Sequence, residues 1–232
     1  EINDYSSANK KKIDEMTKHL FISYTQEEAG FKQEVQEEVL LVRMKPSTYW
    51  LANKLLKDRI HIGKNGEEII ADTEVKLQQK LHQVYSGSVL AEDGTAIKFD
   101  NSKADFIREY FNGQKIAIFY KFKAEYAMIL WAYGYDKLTE SPEEFNTSTD
   151  KIFISQVQSG REGISLATAD AIVMFNIDFS AVSYLQAKAR LQTKERIKPA
   201  KVYWIFSEGG IEQKIYDAVI NKKDYTLSYF KK

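Results

Sequence analysis

Residues 151–206 read KIFISQVQSGREGISLATADAIVMFNIDFSAVSYLQAKARLQTKERIKPAKVYWIF. Two apolar runs, Ile152 to Val157 and Ala171 to Phe175, flank a short Gly/Ser segment. A polar-faced helical pattern carrying Gln186 and Arg190 follows, and then a third apolar run from Val202 to Phe206. Short apolar runs alternating with helical patterns predict buried parallel strands joined by crossovers. The expected fold class is therefore α/β, a mostly parallel sheet flanked by helices.

Upstream of that core the pattern is looser. Residues 1 to about 35 are polar and lysine-rich, with Ile13, Met16 and Leu20 at helical spacing. Val39 to Met44 reads as a strand stopped by Pro46, with Ser47 capping a helix through Leu51 and Leu55. Asn65-Gly66 and Asp93-Gly94 each sit between short apolar pairs and predict hairpins, the first with a type I′ turn. Between them, Asp72 or Thr73 opens a helix through Leu77, Leu81 and Val84. These elements make residues 1–100 an N-terminal extension of helices and hairpins. From Asn101 the spacing tightens: Ser102 caps a helix, Ile116 to Tyr120 forms a buried strand, and a helix runs through Ile129 and Leu130. Residues 136–149 read as a polar loop, and Ile211 to Val219 as a closing helix with an apolar tail behind it.

The chain has 232 residues, 44% of them hydrophobic, enough for one domain with an extension. Its 33 basic and 33 acidic side chains cancel, so any contact with nucleic acid must come from a local patch. Zero cysteines exclude disulfides and thiolate metal sites, and they fit a reducing compartment such as the cytoplasm. No apolar run approaches the roughly 20 residues of a membrane span. A chain that starts at Glu1 reads as a piece of something longer.

His19, His61 and His82 lie far apart without ligand spacing, which predicts no metal site. The acid pairs Glu27-Glu28, Glu67-Glu68 and Glu143-Glu144 fall in exposed contexts and read as solvated charge. Gly63-Lys64-Asn65-Gly66 lacks the lead and the Lys-Ser/Thr ending of a phosphate loop. Gly160-Arg161-Glu162-Gly163, by contrast, follows a buried strand at the carboxyl edge, where open α/β sheets bind ligands. A plain strand-to-helix turn would use the same residues. Gln186 and Arg190, four apart, share one helix face, which serves a ligand or solvent equally well.

Together these pieces resemble the second, C-terminal RecA-like lobe of superfamily-two helicases in the Swi/Snf-like branch. A phage or prophage member is one form the resemblance could take. The similarity runs in order across residues 38–223. Ser102-Lys103-Ala104 resembles the entry to motif IV, and Lys115 to Tyr120 motif IV itself. Ser159 to Asp170 resembles motif V, which reads approximately AGGxGINLTAAD in the family. Phe175 to Phe179 is similar to the FDxDW strand end, and Gln186-Ala187 with Arg190 to motif VI. Val39 to Tyr49 and the helix at 73–85 resemble the connector between lobes. On this likeness the domains divide at 1–100, connector and accessory elements, and 101–232, the lobe.

What the resemblance implies is half of an ATP site. Arg190 would be the arginine finger, Gly160, Gly163, Asp170 and Gln186 would face the nucleotide, and Gln156, Gln158 and Ser159 would contact DNA phosphates. ATP and Mg²⁺ would be shared with a first lobe in the parent, with none held tightly by this chain alone. The expected partners are DNA and that first lobe, with no membrane. Several departures stand against the family pattern. The second motif VI arginine falls on Thr193, which leaves Arg196 as the candidate replacement, and the family's threonine before motif V is Val157. Ile13 to Met16 resembles the acidic metal motif of helicases, but that motif follows a buried strand and here follows three lysines. The competing reading is a non-catalytic nucleic-acid or protein-binding module on the same fold. An independent dinucleotide enzyme fits less well, because G-x-G-x-x-G is missing.

Overall fold

The computed structural model describes residues 35–157, 166, 168–180 and 201–221, all within the compact unit Gln33–Lys232. Six strands form one sheet in the order β1-β10-β9-β6-β8-β7, every neighbouring pair parallel. The strands are β1 (Gln36–Val42), β6 (Ile116–Tyr120), β7 (Leu138–Thr139), β8 (Ile152–Gln156), β9 (Ala171–Met174) and β10 (Lys201–Ser207). Each long apolar run of the sequence is thus a strand, as expected. Both faces of the sheet are covered, which is why the strands read as continuous hydrophobic runs.

Successive residues point to opposite faces. On one face Ala117, Phe119, Ile172, Met174, Trp204 and Phe206 pack against helices α1 (Pro46–Asp58), α2 (Glu74–Tyr85) and α6 (Glu212–Ile220). On the other, Ile116, Ile118, Val173, Phe175, Tyr203 and Ile205 pack against α3 (Ser102–Tyr110) and α4 (Lys123–Tyr133). The extension adds two antiparallel hairpins, β2 (Ile60–Ile62) with β3 (Glu68–Ile70), and β4 (Ser88–Leu90) with β5 (Ala96–Lys98). Residues 36–42, upstream of the motif-bearing half, pair with β10 across their full length.

Three local readings change. The first hairpin is closed by Gly63 and Glu67, whose N–H···O bond is 2.7 Å. Gly66 alone in that loop has positive φ, +91°, so the turn is not type I′, which needs two such residues. Residues 136–149 are not a plain loop: they hold β7 and α5 (Pro142–Thr147), whose cap Ser141 accepts from Glu144 N at 3.2 Å. Neither Ser47 nor Ser102 is an N-cap. The buried Asp100 carboxylate caps both helices instead, accepting from Lys45 N (2.7 Å) and Thr48 Oγ1 (2.5 Å) at α1 and from Ser102 N (2.9 Å) and Ser102 Oγ (2.6 Å) at α3. Burial pushes this carboxyl up, but these hydrogen bonds outweigh it and hold its pKa below the ordinary value. Gly87, with φ +94°, sits against the Asp100 backbone, and a Cβ there would lie 2.0 Å from the Asp100 carbonyl oxygen.

A fully buried ion pair ties α3 to α6: Lys103 Nζ lies 2.7 Å from Glu212 Oε1, and both side chains are at most 1% exposed. Among the described residues, no helix is long and apolar enough to cross a membrane.

Candidate functional site

In a parallel sheet all strands end at one edge, and that edge gathers the residues that follow them. Here it holds Lys121 and Phe122 after β6, Gln156 and Val157 at the end of β8, and Asn176 to Phe179 after β9. Beyond β6 the chain goes on to β7 on one side of the sheet, and beyond the neighbouring β9 to β10 on the other, so the topological switch point where open sheets bind ligands falls between β6 and β9. Gln156 is paired in register with Tyr120, and its Nε2 donates to Lys121 O at 2.8 Å. Lys121 forms an ion pair with Asp178, the two side chains being 13% and 14% exposed. The ammonium also lies 4.9 Å from the Phe179 ring centroid and 5.8 Å from that of Phe122.

Behind this pair sits a polar network with no exposed member. Glu125, in the first turn of α4, accepts four hydrogen bonds. Ser86 Oγ (2.5 Å) and Asn176 Nδ2 (2.8 Å) reach one carboxylate oxygen, while Lys121 N (2.7 Å) and Phe122 N (2.9 Å) reach the other. Asn176 Oδ1 accepts from its neighbour Ile177 N at 2.9 Å and faces His82 Nε2 at 2.5 Å. An amide oxygen only accepts, so Nε2 must carry the imidazole proton. Among the described residues His82 Nδ1 has no hydrogen-bond partner, and the ring packs edge-on against Phe122 and Phe179 at 5.1 and 4.8 Å. Burial, seconded by the Lys121 charge, lowers the His82 pKa to about 3 against the pull of its Asn176 bond. The imidazole is neutral at any physiological pH.

Of the residues singled out in the sequence, Gln156 is at this edge and half-buried. Asp170 is not: it precedes β9 at the opposite, amino edge, where its carboxylate accepts from Lys115 N at 2.8 Å. The register explains this, since a residue before a strand and one after its neighbour lie a strand length apart. Gln158, Ser159, Gly160, Gly163, Gln186, Arg190 and Arg196 lie outside the described residues. Sequence reasoning passed over Lys121, Glu125 and His82. Asn176 and Asp178 stood inside the FDxDW-like string, which was the available signal for them. A lone histidine in a helical pattern carries none.

A RecA-like α/β lobe is what this architecture defines. It is similar to the C-terminal part of the Fun30 ATPase domain, with a TM-score of 0.61 and 13% identity over 85% of this chain and 92% of that one. Over part of its length the chain is also similar to a set of curated proteins. They include the mouse transcriptional regulator ATRX, 30% identical over 88 residues, and mouse DNA repair and recombination protein RAD54B, 30% identical over 83. Human lymphoid-specific helicase is 30% identical over 91 residues. These stretches are 37%, 35% and 39% of this chain but 4%, 9% and 11% of those proteins, so the chain spans a small part of their length. No protein-family model matches. Nothing in these mammalian relatives supports a phage or prophage origin.

Proposed function

We propose that this chain serves as the C-terminal lobe of an ATP-dependent DNA helicase or translocase, completing an ATP site shared with a first RecA-like lobe. The observation that carries the reading is the six-stranded parallel sheet with polar groups converging on its carboxyl edge, in a chain whose relatives are ATPases and helicases. Residues 1–100 act as connector and accessory elements. Motif V, through Gly160 and Gly163, and motif VI, through Gln186, would contact the nucleotide. Gln156, Gln158 and Ser159 would face DNA phosphates through amide and hydroxyl donors.

Among the described residues, the carboxylates at the edge do not suit a magnesium ion. Glu125 is saturated by four donors, and Asp178 is paired with Lys121. Magnesium and the attacking water therefore belong to the first lobe, and this lobe contributes charge for the transferring phosphoryl group. Arg190 supplies it, with Arg196 as the second cation where Thr193 cannot be one. An arginine finger is worth about 10³–10⁵ in rate. Arg190→Ala, made in the protein joined to its first lobe, should lower DNA-stimulated ATP hydrolysis by at least that lower factor with folding intact. Unchanged turnover would remove the finger from the mechanism.

Thr193 favours a second reading, a binding module that kept the fold and lost the chemistry. It would bind DNA without nucleotide dependence, whereas a translocase lobe joined to its partner would change DNA affinity when ATP is added.

A further inference from the structure

The network behind Lys121 joins three elements distant in the chain: His82 on α2 with Ser86 at that helix's C-cap, Glu125 on α4, and Asn176 after β9. All four side chains are fully buried. Apolar residues of similar volume would close the same space, and buried polar groups are often no more stabilising than such replacements. What polar groups add is direction. Glu125 holds the amides of Lys121 and Phe122, and Asn176 holds that of Ile177. The last turn of α2 thereby reaches the first residues beyond β6 and beyond β9, the two segments that carry the Lys121–Asp178 pair. It also grips β10, because Ser207 Oγ donates to Tyr85 O at 2.5 Å.

We propose that His82 is a positioning residue. Acting through Asn176 and Glu125, it lets the connector helix α2 set the placement of the carboxyl edge, where Lys121 stands and from which the chain leaves β9 towards Arg190. This rests on reading the chain as an ATPase lobe. Without the His82 donor, Asn176 Oδ1 keeps, among the described residues, the Ile177 amide alone, and the Asn176 amide can turn away from Glu125. Glu125 then loses one of the two side chains that aim it at Lys121 N and Phe122 N.

Amide hydrogen exchange on this chain tests the role without needing turnover. In His82→Leu, exchange at Lys121, Phe122 and Ile177 should rise about tenfold relative to the ladder amides of β6 and β9, the factor for one buried hydrogen bond. His82→Gln, which keeps a donor, should restore most of that protection. In the protein joined to its first lobe, His82→Leu should lower kcat while KM for ATP holds, because the ground-state contacts remain. A uniform rise across the sheet, or no change at the three amides, overturns the proposal. If His82→Leu does not fold, Ser86→Ala removes the other α2 donor to Glu125, and unchanged exchange at Lys121 and Phe122 then overturns it. A wild-type protein that hydrolyses no ATP would count against the proposed function, while the exchange result decides the positioning role independently.

Discussion

Acidification should weaken this fold through one imidazole, and the size of the effect follows from its burial. His82 has a pKa of about 3 in the folded chain, against 6.5 for the unperturbed side chain. Between those values the unfolded chain takes up a proton that the folded chain refuses. A base with a lowered folded pKa therefore leaves stability complete above pH 6.5 and removes it as pH falls towards 3. At pH 5 the loss amounts to about 2 kcal/mol, from 1.36 kcal/mol per unit over the 1.5 units below 6.5. That figure is insensitive to the folded value so long as it stays well below 5. Carboxylates and the half-buried His61, whose pKa burial and Lys54 also lower, add their own pH dependence. They are common to the wild type and to a His82→Gln variant, so the difference between the two isolates His82. Urea titrations at pH 7.5 and pH 5 should show the wild type losing about 2 kcal/mol more than the variant, close to 1 M in midpoint for an m-value near 2 kcal/mol/M. Equal losses would mean that the imidazole is reachable by water or by a proton donor, and the burial argument would fail.

Two further perturbations probe what fastens the helices to the sheet. Lys103→Met leaves Glu212 charged in a fully buried site and should cost about 3–5 kcal/mol in urea unfolding, while Lys103→Met combined with Glu212→Leu should recover most of it. A single-variant loss no larger than that of an exposed lysine would show that the pair is hydrated. Asp100→Ala removes the carboxylate that caps both α1 and α3, and at ~1 kcal/mol per cap plus exposed orphan donors it should lose about 2–4 kcal/mol. Ser102→Ala, which leaves the carboxylate in place, should lose less in the same urea titrations.

How far the sequence could be read depended on the distance between cooperating residues. Strands β6, β8, β9 and β10 were legible because each is its own apolar run, and burial on both faces leaves few polar interruptions. The Thr73 cap and the hairpin at Asp93-Gly94 were legible because donor and acceptor are neighbours. Helices α1 and α3 show the limit. Ser47 and Ser102 have the right residue type at the right place, yet Asp100, 52 residues from Thr48, takes the role because it can be buried between both helix ends. The candidate site is the extreme case. His82 and Asn176 are 94 residues apart, and Asn176 and Glu125 are 51 apart, so no window along the chain contains the network. The α5 segment is different: Ser141-Pro142 followed by Glu144 is a start signal on the page, hidden by the polarity around it.

The pairing of β1 with β10 sets an order of events. In the sheet β10 lies between β1 and β9, and Gln36 stands opposite Lys201. During synthesis at about 5–20 residues per second, β1 leaves the ribosome roughly 10–30 seconds before its neighbour β10 exists. Its apolar side chains must stay unpaired, or be shielded by something else, throughout that interval. Mixed apolar and charged residues, Gln36-Glu37-Glu38 ahead of Val39-Leu40-Leu41, suit such a wait, since like charges on a lone strand discourage pairing with another copy. Cell-free synthesis with timed protease pulses would therefore find β1 cleavable until β10 has emerged, and protected within moments of its arrival.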